Sequence, residues 1–361
     1  MSTATYQDLI KKTAKKLIPI HCLFELTYNC NLSCVHCYVI KNEKKELNER
    51  EAFDILKQLK DAGCLYLTLS GGEIFVRKDF FEIAGYARKL NFALRLFTNG
   101  TLVNGKVADK IKALKPISVE ISLYGFKNIH EKITQVKRSF DKAVRAIKLL
   151  VDRNIKVFVK TTLMKQNIDE IWKLKEFVGG SLKAGWRGIG GELLISPCDD
   201  GNRRPLNYRL DDEQLKNYIR EEIKISKISK SFEKEFKPRK VKRNETLCGA
   251  GFVSCNITPY GELNPCVQIR LENNSLKDKS FMEIWKGHKE IRALRNMRMA
   301  DKEDCWGCEL ISYCFVCPGV ALLESGSLTA KLPEACRQAR IKKEIYEEIT
   351  TSALSGNKVK R

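Results

Sequence analysis

Thr27-Tyr28-Asn29-Cys30-Asn31-Leu32-Ser33-Cys34-Val35-His36-Cys37-Tyr38 carries three cysteines in a C-x3-C-x2-C run, directly after an apolar segment, His21 to Thr27, that reads as a strand. Three thiols set this closely are not unrelated core residues, and an odd number closes no disulfide set. They read as ligands on one loop holding one metal centre. Three cysteines leave a four-iron cluster one iron short of protein ligands, and an open position marks a catalytic rather than a structural metal site. The competing metal is zinc with His36 as fourth ligand. His36 abuts Cys37, however, and adjacent residues reach one tetrahedral ion only with strain.

Outward from this loop, strand and helix signals alternate. Asn48 caps a helix whose apolar positions Ala52, Phe53, Ile55, Leu56 and Leu59 share one face, and Gly63 ends it. A continuous apolar strand over 65–69 runs into Ser70-Gly71-Gly72-Glu73. Helices near 79–90, 104–113, 140–153 and 168–178 then alternate with strands at 93–98, 117–123 and 155–163, and with a sixth near Glu192 to Ser196. Such βα units imply a parallel sheet, and six of them suit an incomplete (β/α)6 barrel. In barrels the chemistry collects at the C-terminal ends of the strands. The three cysteines, the Gly-Gly-Glu, Thr98-Asn99-Gly100 and Ser122-Leu123-Tyr124-Gly125 all fall at those ends.

The flanks divide by composition. Residues 1–20 form a basic amphipathic arm, 21–197 the barrel, and 198–246 a linker with a helix near 211–228 and a basic run over 237–243. From 247 to 340 cysteines return at high density as Cys248, Cys255, Cys266, Cys305, Cys308, Cys314, Cys317 and Cys336, interrupted by a helix near 280–297. A charged helix begins at Pro333, and 341–361 form the C-terminal helix and tail. Eight cysteines suffice for two fully ligated [4Fe-4S] clusters. A pair of structural zincs is the alternative, although the two C-x2-C pairs stand much closer together than in a zinc ribbon. Cys22, in a strand, and Cys64, just before one, read as buried inert thiols. Cys198, in a loop, has no assigned role.

The loop resembles the hallmark of the radical S-adenosylmethionine (SAM) superfamily, C-x3-C-x2-C followed by an aromatic residue, here Cys30, Cys34, Cys37 and Tyr38. The resemblance implies that SAM chelates the open iron and is cleaved by one electron to methionine and a 5′-deoxyadenosyl radical, which abstracts a substrate hydrogen. Gly71-Gly72-Glu73 is similar to the family's second motif, whose backbone and carboxylate bind the SAM amino group; Ile74 stands where the family usually has Pro. Ser122 sits where the family often has a ribose contact, and Asn99 and Lys160 are further rim candidates for the cofactor. The tail resembles the SPASM extension, which binds two auxiliary [4Fe-4S] clusters. Its interleaved pattern implies Cys248, Cys255, Cys266 and Cys317 for the first cluster and Cys305, Cys308, Cys314 and Cys336 for the second. The chain departs from that pattern in having C-x2-C rather than C-x3-C at Cys314 and Cys317.

Composition agrees with this frame. The chain has 361 residues, 43% apolar and 30% charged, and no apolar run approaches a membrane span. Met1 to Lys16 lacks the apolar core of a secretory signal, so the expected location is the cytoplasm, where reducing conditions suit the 14 cysteines as metal ligands. The formal charge of +21 raises nucleic acid as a partner, through a zinc protein that is no enzyme, but aromatics do not interleave with the basic runs.

SPASM enzymes mostly act on peptides or proteins, and Cys317-Pro318-Gly319 with Glu324-Ser325-Gly326 is similar to maturases of ribosomally made peptides. The resemblance thus implies peptide maturation, by thioether or carbon–carbon crosslinking or by epimerisation, with a flavodoxin or ferredoxin as electron donor. The sulfatase-maturing type is a rival, but it carries Asp directly after the cysteine matched by Cys266, where this chain has Val267. Modification of a haem precursor is a further option. No leader-binding domain fits before the barrel, so a separate recognition protein or direct leader binding is expected.

Overall fold

The computed structural model describes residues 5–41, 43–187, 194–228 and 238–356. They form two compact units, Met1–Asn207 with Gly249–Asn296, and Tyr208–Cys248 with Met297–Arg361.

The first unit is built on one sheet. Its strands are β1 His21–Glu25, β2 Tyr66–Ser70, β3 Ala93–Thr98, β4 Ser118–Ser122, β5 Val157–Lys160, β6 Gly185–Arg187, β7 Ser254–Ile257 and β8 Leu263–Asn264. The order is β6-β5-β4-β3-β2-β1-β7-β8, and β1 to β6 are parallel neighbours in chain order. A helix follows each of β1 to β5, as short parallel connections require. β7 adds in parallel to the free edge of β1, and β8 closes a hairpin with it.

Alternation along each strand separates two faces. Phe24, Leu67, Leu69, Leu94, Leu96, Val119, Ile121 and Val159 are fully buried on the helix-covered face. The other, inner face carries Glu25, Thr68, Ser70, Arg95, Phe97, Glu120, Ser122, Phe158 and Lys160, and polar side chains dominate it. Local signals place the helices. Asn48 and Glu51 make a reciprocal capping box at the start of Glu49–Asp61, with bonds of 3.0 and 2.8 Å. Ala52, Ile55, Leu56 and Leu59 are buried, while Phe53 stacks on Tyr86 at 4.3 Å.

Two expectations about these elements need correction. The sixth strand is Gly185–Arg187 rather than 192–196; residues 194–196 are not strand, and 192–193 lie outside the described residues, as does Lys237 of the basic run. The apolar run Leu193-Leu194-Ile195 looked like a strand, but Ile195 is buried as a loop residue. The helix expected near 280–297 is two, Phe281–Gly287 and Lys289–Asn296, broken at His288, whose backbone is extended. The N-terminal arm contains a helix, Tyr6–Lys15, tied to β1 by Tyr6 Oη to His21 Nε2 at 2.6 Å. A further helix, Lys127–Thr134, escaped notice because its buried positions include His130 and Thr134.

In the second unit, the helix inside the segment read as a linker, Asp212–Ile228, packs along the C-terminal helix Pro333–Gly356. Arg337–Asp212, Lys216–Glu344 and Arg220–Glu348 join them at 2.6, 2.8 and 3.0 Å.

Candidate active site and cluster ligands

The cysteine loop leaves the C-terminal end of β1 and is clamped from two sides. From one side, Ser33 N and Val35 N donate to Thr134 O and Ile133 O at 3.1 and 3.0 Å. From the other, Gly72 N donates to Thr27 O at 2.7 Å and Glu73 N to Asn29 O at 2.9 Å. This second clamp explains the glycines. A Cβ on Gly71, whose φ is +135°, would lie 2.2 Å from Thr27 O, and one on Gly72 would lie 2.4 Å from Asn29 O. The close approach they permit is between β2 and the cysteine loop.

Glu73 is correspondingly a strut. Its carboxylate is fully buried and accepts from Thr98 Oγ1 at 2.7 and 2.9 Å, from Asn99 N at 2.7 Å and from Phe75 N at 3.2 Å. Burial pushes its pKa up, against the lowering effect of those donors. These donors tie the Glu73 carboxylate to the end of β3 and to the turn after β2. Asn99 likewise serves the loop. Its Nδ2 donates to Asn31 Oδ1 at 2.9 Å and lies 3.8 Å from Cys30 Sγ, while its Oδ1 accepts from Thr101 N and Oγ1 at 2.9 and 2.7 Å.

The three thiols suit a cluster chemically. Burial pushes all three pKa values up, Cys34 to about 12, with neighbouring cysteines adding to the shift of Cys34 and Cys37 and the Glu73 carboxylate to that of Cys30. Among the described residues no cation offsets this, so the loop favours thiolates when metal ions supply the positive charge. Leu32 N donates to Cys30 Sγ at 3.4 Å, the kind of bond that tunes an iron–sulfur centre. Among the described residues no three His, Cys, Asp or Glu side chains already stand at the spacing of a single bound ion. His36 packs edge-on against Tyr124 at 4.7 Å, and its Nδ1 has no hydrogen-bond partner among the described residues.

Tyr38 anchors the loop's exit. Its hydroxyl donates to Glu25 Oε1 at 3.3 Å, and Glu25 is 1% exposed. Tyr28 Oη, Asn256 Nδ2 and Arg270 reach Glu25 Oε2 at 3.1, 3.0 and 3.4 Å, and Arg270 pairs with Asp199 at 2.8 Å. Sequence reasoning missed this network, since Arg270 and Asp199 lie in loops with no motif. Cys198 also finds a place, with its Sγ 3.5 Å from Cys37 O. On the opposite wall Ser122 pairs in register with Lys160, whose Nζ is 3.6 Å from Glu120 Oε2.

Cys255 requires a correction. It pairs with Cys22 across β7 and β1, which turns its side chain into the helix-covered layer. There it is 3% exposed beside Cys22 and Cys64, with its Sγ 3.8 Å from His21 O. It belongs to the barrel core, and seven cysteines remain for the auxiliary module. Cys22 and Cys64 are buried, as expected. Cys266 lies in the turn after β8, bridged to Ile269.

In the second unit Cys305, Cys308, Cys314, Cys317 and Cys336 line one cavity with Lys302. Burial pushes the Cys314 thiol up to about 11, reinforced by Cys336, Cys305 and Cys308. Cys317 instead feels Cys248. Lys302 is buried, its Nζ donating to Thr329 O and Ala330 O at 3.0 and 2.5 Å.

Comparison with known proteins matches residues 24–178 to the radical SAM superfamily and 248–309 to the SPASM iron-sulfur cluster-binding domain. Mycofactocin maturase MftC of Mycolicibacterium smegmatis is 30% identical over 311 residues, 82% of this chain and 77% of that protein. AdoMet-dependent heme synthase of Methanosarcina barkeri is 28% identical over 338 residues, 86% and 94% of the two chains. Streptococcus suis SuiB bound to S-adenosylmethionine superposes with a TM-score of 0.67 at 18% identity, over 93% of this chain and 83% of SuiB. No helix among the described residues is long and apolar enough to cross a membrane.

Proposed function

Because the chain belongs to the radical SAM superfamily, in its SPASM-bearing branch, we propose that it is a maturase that modifies a peptide by hydrogen abstraction. The similarity to a peptide maturase over 82% of the chain carries this reading. When bound, the cluster and SAM supply the one-electron cleavage that starts hydrogen abstraction. Cys30, Cys34 and Cys37 would hold the SAM-binding cluster. Gly71, Gly72 and Glu73 hold their loop in place, Asn99 supports the sulfur of Cys30, and Tyr38 fixes the loop's exit. Ser122 and Lys160, paired in register on the inner face, would orient cofactor or substrate.

Cys248, Cys266, Cys305, Cys308, Cys314, Cys317 and Cys336 would serve the auxiliary clusters. A flavodoxin or ferredoxin would deliver electrons, and a separate protein would present the leader of the substrate. Val267 gives no carboxylate after Cys266, which sets the chain apart from sulfatase-maturing enzymes. A second reading, haem-precursor modification, is favoured by the heme synthase similarity, which spans 94% of that relative.

One assay separates the two. Reduced holoenzyme with SAM is offered, in turn, the short peptides encoded beside its gene and an iron porphyrin carrying propionates. A mass change in a peptide supports the proposal, and propionate loss from the porphyrin with no change in any peptide overturns it.

A further inference from the structure

On the inner face of β3 to β6 one buried carboxylate is faced by three cations. Glu120 is 4% exposed, and Arg95 Nε, Lys160 Nζ and Arg187 Nε stand 3.6, 3.6 and 3.5 Å from its oxygens. Strand register assembles the group: Glu120 lies between Phe97 and Phe158 on the neighbouring strands, and Lys160 is paired with Arg187. The rings hold two of the cations in place. Lys160 Nζ is 3.9 Å from the Phe97 centroid, and the Arg187 guanidinium is 4.3 Å from that of Phe158.

Among the described residues, three positive charges against one negative leave an excess of two on this wall. Each cation sits at ion-pair rather than close hydrogen-bond range from Glu120, and among the described residues the buried Arg95 Nε has no hydrogen-bond partner. Two guanidinium forks therefore keep donors for a second acceptor, in the geometry that matches a carboxylate. Excess charge in a part-buried setting is costly until a ligand neutralises it.

We propose that Arg95, Lys160 and Arg187 form a subsite for a carboxylate of the substrate, an acidic side chain or the free C-terminus of the peptide to be modified. This rests on the reading of the chain as a peptide maturase. Glu120 acts there as a positioning residue, spacing the cations and limiting their charge.

The test uses reconstituted holoenzyme and four N-acetylated octapeptide libraries, in which a central residue is Glu or Gln and the C-terminus is acid or amide. Captured peptides are quantified by mass, and SAM binding is followed by its perturbation of the reduced cluster's EPR signal. Carboxylate-bearing peptides are expected to be enriched about tenfold over the all-amide library. Whichever of the Glu and acid arms is enriched identifies the source of the carboxylate. Arg187→Met should abolish the enrichment and Arg187→Lys restore part of it. Glu120→Gln should increase it, and the exposed, distant Lys112→Met should leave it unchanged.

Enrichment that survives Arg187→Met would overturn the proposal. So would a loss of SAM binding in that variant with peptide capture intact, which would assign the wall to the cofactor's own carboxylate. Peptide capture with no preference for charge, or capture of no peptide at all, would refute the subsite while leaving the maturase reading to the mass-change assay with the neighbouring peptides.

Discussion

At the scale of single residues, the molecule separates cysteines that hold clusters from cysteines that fill a core. Cys255 lies in the tail's cysteine-dense stretch but is paired with Cys22 in the barrel sheet. Cys255→Ala is therefore expected to leave the iron content of reconstituted protein unchanged, whereas Cys314→Ala should lower it by up to about four irons per chain; iron and sulfide analysis decides. Gly72 makes the complementary case. A methyl group 2.4 Å from Asn29 O must displace the cysteine loop, so Gly72→Ala should destabilise the fold by about 1–3 kcal/mol and weaken the SAM-dependent EPR signal more than it alters far-UV circular dichroism.

At the scale of elements, the helix Lys127–Thr134 carries one side of the loop, and His130 within it is 1% exposed. Its Nδ1 accepts from Tyr124 N at 3.1 Å, its Nε2 has no partner, and burial pushes its pKa down to about 4. A histidine depressed in the folded state contributes stability above the unfolded pKa of about 6.5, and this is lost as pH falls through the window between 6.5 and 4. Between pH 7 and pH 5.5 the loss is about 1 kcal/mol. His130→Asn, which keeps an acceptor for Tyr124 N, should flatten that slope in anaerobic guanidinium titrations.

The helix pair of the second unit offers a contrast between ion pairs. Arg209 bonds Glu324 and lies 3.8 Å from Glu334, and both carboxylates are almost completely buried. Arg209→Ala removes this ion pair from the buried Glu324, while Glu334 keeps Arg337 at 2.8 Å, and should cost about 3 kcal/mol. The exposed Lys216–Glu344 pair is screened, and Glu344→Gln should not move the denaturation midpoint measurably.

At the scale of the whole molecule, the alternating βα pattern, the cysteine loop and the rim signals at Gly71–Glu73, Asn99 and Ser122 were legible because each is local: a strand, its end, and the residues just beyond it. What stayed hidden was non-local. The pairing of β7 with β1 joins residues more than two hundred positions apart, and the Glu25–Arg270–Asp199 network draws on three distant segments. The hydrogen bonds from Thr98 and Asn99 to Glu73 stayed hidden for the same reason. The sixth strand was missed because three residues, Gly185–Arg187, are too few to show a period.

The central claim is that Cys30, Cys34 and Cys37 hold the cluster at which SAM is cleaved. The direct measurement is 5′-deoxyadenosine formation by anaerobically reconstituted, dithionite-reduced protein supplied with SAM, run beside Cys34→Ala. The account predicts 5′-deoxyadenosine from the wild-type chain and only background from the variant. Zinc in place of iron with no 5′-deoxyadenosine, or equal product from both proteins, would contradict it.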